Sequence, residues 1–451
     1  MSYNLKTPED VLGAIKDNKI QRIDLRFTDL PGRWRHFSTP PTAFDLQSFA
    51  RGLKFDGPSI RWVENIQGND VFVIPDPASA FLDPFSEMPT LMLTCNVQDP
   101  VSGQRCACDP RHIAQKAEAY LEASRIGDTA NFGLSLEGIV FNDARNDYSA
   151  NCHHNNEADA AETNCSAWRA GAGQGHMLHD AGYFPPPPLD ALQAVRAEIV
   201  AILEKIGIKV DISHYEDATG NRGAIDMRFA ALTRMADNLM VCKYVIKKVA
   251  RQRGMTATFM PQALFANQGA GMHVHQSIWQ GERPLFAGDG YAGSSALMRH
   301  YFAGLLEHAP ALLAICTPGA SSRFASGFEV PVNLGYLQRH HSTACCVPMH
   351  RPDPKAKRVE FLCPDPSCNP YLAFAAMLMA GIDGFDNRLY NIDPDEPIEN
   401  LANAQKVAIP PPAPGSLESL DALQADHAFL LKGGVFTPDV IETYLSHKRA
   451  R

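Results

Sequence analysis

The chain has 451 residues, of which 45% are hydrophobic and 20% are charged, and its formal net charge is −9 with an isoelectric point near 6.0. A chain of this length can bury a large core in two or three domains. The acidic balance argues against a nucleic-acid partner, because phosphate binding needs a basic face. The sequence has no apolar run of about 18 residues and no N-terminal signal-peptide pattern. We therefore predict a cytoplasmic protein with no membrane partner.

The eleven cysteines fit no zinc-binding pattern. Cys106 and Cys108 lie two residues apart, Cys345 and Cys346 are adjacent, and neither pair has a matching partner pair. In a chain without a secretion signal such cysteines indicate mostly reduced, structural thiols.

The N-terminal segment predicts a helix followed by a hairpin. Thr7 is a suitable N-cap, and Pro8 suits the first helical position. Apolar and charged residues alternate from Ile23 to Phe27, which predicts a half-buried strand. The Asp-Leu-Pro-Gly turn at 29–32 leads into a second strand. These elements indicate a small α+β domain of about one hundred residues.

The rest of the chain alternates short strands with long helices. Helical periodicity covers segments 110–125, 189–206, 231–253, 294–315 and 369–384, and a terminal helix lies around 438–448. Segment 145–180 is small, polar and Gly-rich, and it predicts a long loop.

Four predicted strands carry polar residues on one face and apolar residues on the other. The side chains that share these faces are His214 and Glu216, then His273, His275 and Ser277, then Arg358 and Glu360, and finally Glu137. Each strand alone is compatible with a polar face that contacts water. Three carboxylates and a histidine in one sheet, however, are costly to bury without a cation, so together they favour a metal site.

These strands and the segments around them resemble type I glutamine synthetase. The resemblance extends over nearly the whole chain, except for the segment 145–180. It is carried by DLRFTDLPGRWRHF (24–37), KFDGPSI (54–60), GYFPPPPLD (182–190), GAGMHVHQS (269–277), SGFEVPVN (326–333) and CNPYLAFAAMLMAGIDG (368–384).

The resemblance implies an α+β fold with two domains. Residues 1–105 would form a small β-grasp domain, and residues 106–451 a catalytic domain with a curved antiparallel sheet and helices. It also implies a homododecamer of two hexameric rings with each active site between subunits. Members of the family use ATP to activate the γ-carboxylate of glutamate, and ammonia or an amine then displaces phosphate, with two or three divalent cations neutralising the phosphates.

The resemblance also assigns roles to individual residues. Glu137 and Glu216 resemble ligands of a first metal ion, and His273 and Glu360 resemble ligands of a second. The other matching positions are Asp56 and Ser59 in an ammonium-binding segment from the neighbouring subunit, Glu329 as the flap residue that accepts a proton, Arg323 as a contact to the substrate carboxylate, Ser277, Lys355 and Arg358 on the nucleotide side, His275 nearby, and Tyr183 in the GYFP segment.

The chain departs from the family pattern within the site itself. Where the family reads FGPExEF and HHEVATAGQxE, this chain reads FGLSLEG and HYEDATGNRGA, so each motif loses one glutamate, at Ser135 and Ala224. Three arginine positions are occupied by His341, Cys346 and Leu362, and an asparagine position by Gln268. Each metal site therefore loses one of three protein ligands, and the phosphate site loses guanidinium groups that histidine or leucine cannot replace.

From these losses we predict that ATP is not used. The leading hypothesis is a metal-dependent reaction at an amide or amine C–N bond of a small polar substrate, with one Mg, Mn, Fe or Zn ion held by Glu137, Glu216, His273 and Glu360. Two alternatives stay open. One is an ATP-dependent γ-glutamyl–amine ligase with an altered substrate, and the other is an oligomer without catalytic activity.

Overall fold

The computed structural model describes residues 5–57, 70–99, 102–141, 143–149, 152–158, 184–188, 190–216, 222–260, 270–318, 333–336, 343–348, 353–389 and 417–450. Within these ranges, no helix is both long and apolar enough to cross a lipid bilayer.

The N-terminal region is a six-stranded sheet with its own hydrophobic core. Helix α1 (Pro8–Asp17) begins at the predicted cap, where the Thr7 hydroxyl accepts a hydrogen bond from the Asp10 amide at 3.1 Å and the Asp10 carboxylate accepts from the Thr7 amide at 3.0 Å. The other elements are β1 (Arg22–Thr28), β2 (Trp34–Thr39), α2 (Leu46–Ala50), β3 (Leu53–Asp56), β4 (Asp70–Pro75), β5 (Phe81–Leu82) and β6 (Thr90–Gln98). The strand order is β2-β1-β6-β4-β3, and β5 pairs with β6.

Strand β1 is buried on both faces, so the prediction of a half-buried strand is wrong. Asp24 and Arg26 on the face expected to be polar are 4% and 9% exposed. The Arg26 Nε donates to the Asp24 carboxylate at 2.7 Å, and the guanidinium lies 4.4 Å from the ring centroids of both Trp34 and Tyr244. The ion pair and the two rings replace the water that these charged groups would otherwise need.

The larger region contains a nine-stranded sheet with helices packed against its apolar face. Its strands are β7 (Thr129–Phe141), β10 (Val210–Tyr215), β11 (Arg222–Ala231), β12 (Thr256–Thr258), β13 (Met272–Gln280), β14 (Arg283–Pro284), β16 (Asn333–Tyr336), β17 (Thr343–Cys346) and β18 (Val359–Phe361). The order is β10-β11-β7-β13-β18-β17-β16, with β12 beside β7 and β14 beside β13. All these pairs are antiparallel except β16 with β17. Strand β15 (Ala287–Gly290) lies outside this sheet.

The predicted helices of this region lie at or near their predicted positions, and the two shorter helices between residues 417 and 431 were not predicted. They are α3 (Pro110–Ser124), α4 (Gln193–Lys205), α5 (Leu232–Gln252), α6 (Ala296–Glu307), α7 (Ala309–Cys316), α8 (Pro370–Asp386), α9 (Leu417–Ala425), α10 (Ala428–Leu431) and α11 (Pro438–Arg449). The predicted helix at 294–315 is two helices, because the chain breaks at His308 before Pro310 takes an early position in α7.

Helix α8 is the centre of the larger core and fixes one strand of the sheet. Gly381 on α8 has no room for a Cβ atom because the Tyr301 ring of α6 lies against it. This close approach allows the buried Tyr301 hydroxyl to donate to the Gln276 side-chain oxygen on β13 at 2.7 Å. The apolar face of β13 is therefore fixed by α6 and α8, and the opposite face of the strand can carry polar side chains.

Two further expectations can be compared with the structure. Segment 145–180 is not entirely a loop, because β8 (Asp143–Ser149) and β9 (Cys152–Ala158) form an antiparallel hairpin within it. Cys106 and Cys108 are joined by a disulfide, whereas free thiols are found at Cys95, Cys242, Cys316, Cys345, Cys346, Cys363 and Cys368. The domain boundary at residues 105 and 106 stays a prediction.

Candidate active site

The register of the large sheet places the polar side chains in three rows that run across the strands. Residues directly opposite each other in antiparallel strands point to the same face. The rows are His214, Ala224 and Glu137, then Asp226, Ser135 and His273, and then Gly133, His275, Glu360 and Cys346. We call this surface the polar face. The strand alternation also places Arg222, Ser277 and Arg358 on it.

At one end of the polar face, an arginine bridges two predicted metal ligands. Arg222 begins β11, and its side chain is only 3% exposed. Its Nη1 lies 3.3 Å from Glu137 Oε2, and its Nη2 lies 3.5 Å from Glu216 Oε2. Glu137 Oε2 also accepts a hydrogen bond from the Gly271 amide at 2.5 Å.

The Glu216 carboxyl shows the electrostatic cost of this arrangement. Burial raises the pKa of Glu216, and the neighbouring Glu137 carboxylate raises it further, whereas Arg222 and His214 lower it. His214 Nδ1 lies 3.2 Å from Glu216 Oε1, although it is not aligned for a hydrogen bond. Two acidic groups in one buried place need a cation beside them, and Arg222 supplies it.

A second cluster of side chains on the polar face surrounds Glu360, which belongs to the third row. His273 Nδ1 is 3.2 Å from Glu360 Oε1, and His275 Nε2 is 3.9 Å from the same oxygen. The Cys346 thiol donates to Glu360 Oε2 at 3.2 Å. Burial on its own would raise the pKa of Glu360, but His275 and His273 more than offset it, so the pKa lies well below its usual range.

Arg358 closes this end of the polar face. Its Nε donates to His275 Nδ1 at 3.3 Å, and its guanidinium lies 5.7 Å from the ring centroid of Phe229. Burial lowers the pKa of Arg358, and the nearby Glu360 and Asp226 carboxylates oppose that shift. The ring of Phe229 and the nearby carboxylates thus keep the guanidinium on this part of the polar face.

Asp226 is a site residue that the sequence analysis missed. It lies between the two carboxylate groups and directly opposite Ser135, whose hydroxyl bonds to its carboxylate. Burial raises the pKa of Asp226, and its Oδ1 atom is buried without a hydrogen-bond partner among the described residues. The signal was present in the sequence, because Asp226 follows Ala224 by two positions in a strand and therefore shares its face.

The four predicted metal ligands form two pairs rather than one cluster. Glu137 and Glu216 flank Arg222, and His273 contacts Glu360. In the described part of the chain, no three His, Cys, Asp or Glu side chains converge closely enough to hold a metal ion. The assignment of these four residues as metal ligands stays a prediction.

The other predicted site residues are spread over the fold or lie outside the described ranges. Ser277 is buried on β13 and accepts from Trp279 Nε1 at 2.9 Å. Lys355 is exposed on a short 3₁₀ turn, and Asp56 is exposed at the end of the edge strand β3. Ser59, Tyr183, Arg323 and Glu329 lie outside the described residues, as do the substituted positions Gln268 and His341.

Comparison with known proteins identifies the family. The profile described as the catalytic domain of glutamine synthetase matches residues 107–451, and the β-grasp domain of glutamine synthetase matches residues 19–100. The chain belongs to the glutamine synthetase family.

Curated relatives extend this likeness over nearly the full length. The glutamine synthetase of Frankia alni is 48% identical over 98% of this chain and 94% of its own, and that of Microchaete diplosiphon is 44% identical over 98% and 95%. The glutamine synthetase structure of Plasmodium falciparum shares the fold at 23% identity, with a TM-score of 0.87 and coverage of 100% and 96%.

These relatives overturn the leading functional hypothesis. An identity of 48% to a glutamine synthetase over 98% of the chain argues against an ATP-independent enzyme of another class. The hypothesis counted the charged groups lost at single positions and did not consider the charged groups around those positions. The structure shows why that reasoning fails at the first predicted metal position, where Arg222 is a cation that the list of lost ligands did not include.

Proposed function

We propose that the protein is an ATP-dependent glutamine synthetase. In this reaction a γ-carboxylate oxygen of glutamate attacks the terminal phosphorus of ATP, and ADP leaves. The nitrogen of ammonia then attacks the acyl carbon, phosphate leaves, and the nitrogen loses a proton. The observation that carries the proposal is the 48% identity to a glutamine synthetase over 98% of the chain.

Arg358 is the described residue best suited to contact a nucleotide phosphate. It is partly buried and lies beside His275, and the ring of Phe229 packs against it. A guanidinium can donate two parallel hydrogen bonds to phosphate oxygens, which gives both affinity and orientation. We assign Ser277, His275 and the exposed Lys355 to the same nucleotide side as weaker candidates.

Membership of the family supports a divalent metal and ATP as cofactors. The donors nearest to one another are His273 and Glu360, and Asp226 offers an unsatisfied buried oxygen in the same row as His273, although the three do not converge on one point in the described structure. Carboxylates with one imidazole suit Mg²⁺ or Mn²⁺. The ion would supply charge neutralisation at the phosphates. The other pair, Glu137 and Glu216, does not fit because Arg222 lies between them.

Family membership also supports an oligomeric enzyme. We assign it the homododecamer of two hexameric rings, in the cytoplasm, with a boundary between its two domains at residues 105 and 106. The exposed position of Asp56 on an edge strand is compatible with a role at a neighbouring subunit's site. In the same proposal Glu329 accepts the proton from the attacking nitrogen, Arg323 contacts the glutamate carboxylate, and Ser59 and Tyr183 line the substrate side.

The test is phosphate release from ATP by the purified full-length protein, with glutamine measured directly. We expect release that requires both glutamate and ammonium. Arg358→Gln should raise the KM for ATP by about tenfold or more, because one charge-assisted contact to phosphate is lost.

The matched control is Arg228→Gln. Arg228 is on β11 and forms an exposed ion pair with Asp211 at 2.8 Å, so its loss should leave the KM for ATP unchanged. Failure to form glutamine from ATP, glutamate and ammonium would refute the proposal. Turnover with methylamine but not with ammonium would refute the choice of ammonia as substrate.

A further inference from the structure

A guanidinium lies where the two carboxylates of the first predicted metal site converge. Glu137 comes from the middle of β7, and Glu216 follows the end of β10, so the two acids belong to different strands. Each is reached by a different nitrogen of Arg222, at 3.3 Å and 3.5 Å. The arginine therefore bridges two acids across the sheet rather than pairing with one.

The backbone holds Arg222 in this position. The Glu216 amide donates to the Arg222 carbonyl oxygen at 3.0 Å, which ties the start of β11 to the acid it contacts. The Glu137 oxygen that faces Arg222 also accepts a hydrogen bond from the Gly271 amide. All three side chains are 10% exposed or less, so the attraction between them is only weakly screened by water.

We propose that the Arg222 guanidinium is a built-in cation that takes the place of a metal ion between Glu137 and Glu216. A divalent ion bound by the same two oxygen atoms would lie against a fixed positive charge in a buried setting, which is strongly unfavourable. The site consequently holds one divalent ion fewer than a site with a third acid and no arginine.

The neighbouring substitution supports this inference through the local charge. Ala224 is fully buried and lies directly opposite Glu137, at the position where the family pattern has a glutamate. Arg222, two residues earlier on the same face, occupies the glutamine of that pattern. Three carboxylates around a divalent ion and two carboxylates around one guanidinium carry the same net charge of minus one. The two changes together thus preserve the charge of this end of the polar face.

The inference deepens the proposed ligase, because it states how many metal ions the site of that enzyme holds. It is tested without turnover. The experiment is a Mn²⁺ titration of the full-length protein, without nucleotide, in which free Mn²⁺ is measured by electron paramagnetic resonance. A lack of glutamine formation would refute the ligase, whereas the Mn²⁺ count tests Arg222 separately.

The decisive variant restores the family pattern by Arg222→Gln combined with Ala224→Glu. We expect it to bind one more Mn²⁺ per subunit than the natural protein. Adding Glu216→Gln to this double variant should remove the extra ion. Glu216→Gln in the natural protein should leave the Mn²⁺ count unchanged and alter the affinity by less than about twofold, because no ion is bound at that pair.

Two outcomes would overturn the inference. One is an equal Mn²⁺ count in the natural protein and the folded double variant. The other is a loss of one Mn²⁺ from the natural protein on Glu216→Gln, and this arm decides the question alone if the double variant does not fold. Arg228→Gln serves as the matched control, since it removes an exposed arginine from the same strand and should change neither count.

Discussion

Arg111 and Arg222 are both buried arginines between two carboxylates, yet their geometry differs. Arg111 donates to Asp237 through Nε at 3.0 Å and Nη2 at 2.9 Å, and it lies 2.6 Å from Asp76. Arg222 lies 3.3 Å from Glu137 and 3.5 Å from Glu216. The short, multiple bonds of Arg111 lock two parts of the fold together, whereas the longer contacts of Arg222 balance charge in a site that must admit ligands.

The position of Arg111 explains its tighter bonding. Arg111 lies in the first turn of α3, and its partner Asp237 belongs to α5 of the larger region. Asp76 and Asn96 belong to the N-terminal region, and Nη1 of Arg111 reaches the Asn96 side-chain oxygen at 2.6 Å. The Tyr371 hydroxyl of α8 adds a bond to Asp237 at 2.7 Å. Arg111 thus joins the two regions through a fully bonded network.

The largest effect is expected from breaking the Arg111 network. Arg111→Gln should lower the free energy of unfolding by about 3–5 kcal/mol, because it leaves the buried Asp237 and the half-buried Asp76 carboxylates without their cation. Chemical denaturation measures this. Added Mn²⁺ should give no recovery, since Asp237 keeps the hydrogen bond from the Tyr371 hydroxyl and lies away from the candidate site. A loss below about 1 kcal/mol would show that Arg111 does not join the regions.

His308 is a third cation between two carboxylates, and unlike arginine it can lose its charge. Its Nδ1 lies 2.7 Å from Asp426 and its Nε2 lies 3.0 Å from Asp383. Burial alone would lower the pKa of His308, but hydrogen bonds to Asp383 and Asp426 raise it to about 9. The stabilisation is therefore complete below the unfolded pKa of about 6.5 and is lost as the pH rises through 9.

Replacing His308 should consequently matter only in acidic and neutral solution. His308→Gln should cost on the order of 2 kcal/mol near pH 6, and the difference from the natural protein should shrink above about pH 9. Lys432, which pairs with Asp383 at 2.8 Å, has a raised pKa and stays charged through this range. Denaturation curves at several pH values measure the difference. A cost that does not depend on pH would contradict an ionised His308.

The smallest effect is expected at Arg222. Arg222→Gln should lower the free energy of unfolding by about 1–2 kcal/mol in a chelating buffer, because its contacts are longer than those of Arg111. Mn²⁺ should restore part of the loss, since Glu137 and Glu216 then face an open position. Thermal unfolding with and without Mn²⁺ measures the recovery. If Mn²⁺ also restored stability to Arg111→Gln, the proposed difference between the two arginines would be contradicted.

The sequence predicted most of the fold because its signals are local. The Thr7 cap, the periodicity of α3, α5 and α8, and the alternating faces of β7 and β13 all lie within single elements. The burial of Asp24 and Arg26 was missed because the covering ring of Tyr244 comes from a distant part of the chain.

The candidate site was predicted less completely, since it depends on contacts between strands. Glu137, His273 and Glu360 were found as polar residues within apolar patterns. Arg222 and Asp226 were missed, because their partners are set by the register of β11 against its neighbours. The incorrect hypothesis of an ATP-independent enzyme followed from these two omissions. Charges lost at Ser135 and Ala224 were counted, and the charges facing them were not.

The cross-strand rows of the polar face have a consequence for how such a site changes over evolutionary time. A carboxylate absent at Ser135 has a counterpart on the adjoining strand at Asp226, in the same row. A functional group can therefore move sideways by one strand, about 5 Å, while the backbone stays where it is. Divergence in such a sheet can exchange groups between neighbours in a row, which a position-by-position comparison of sequences does not detect.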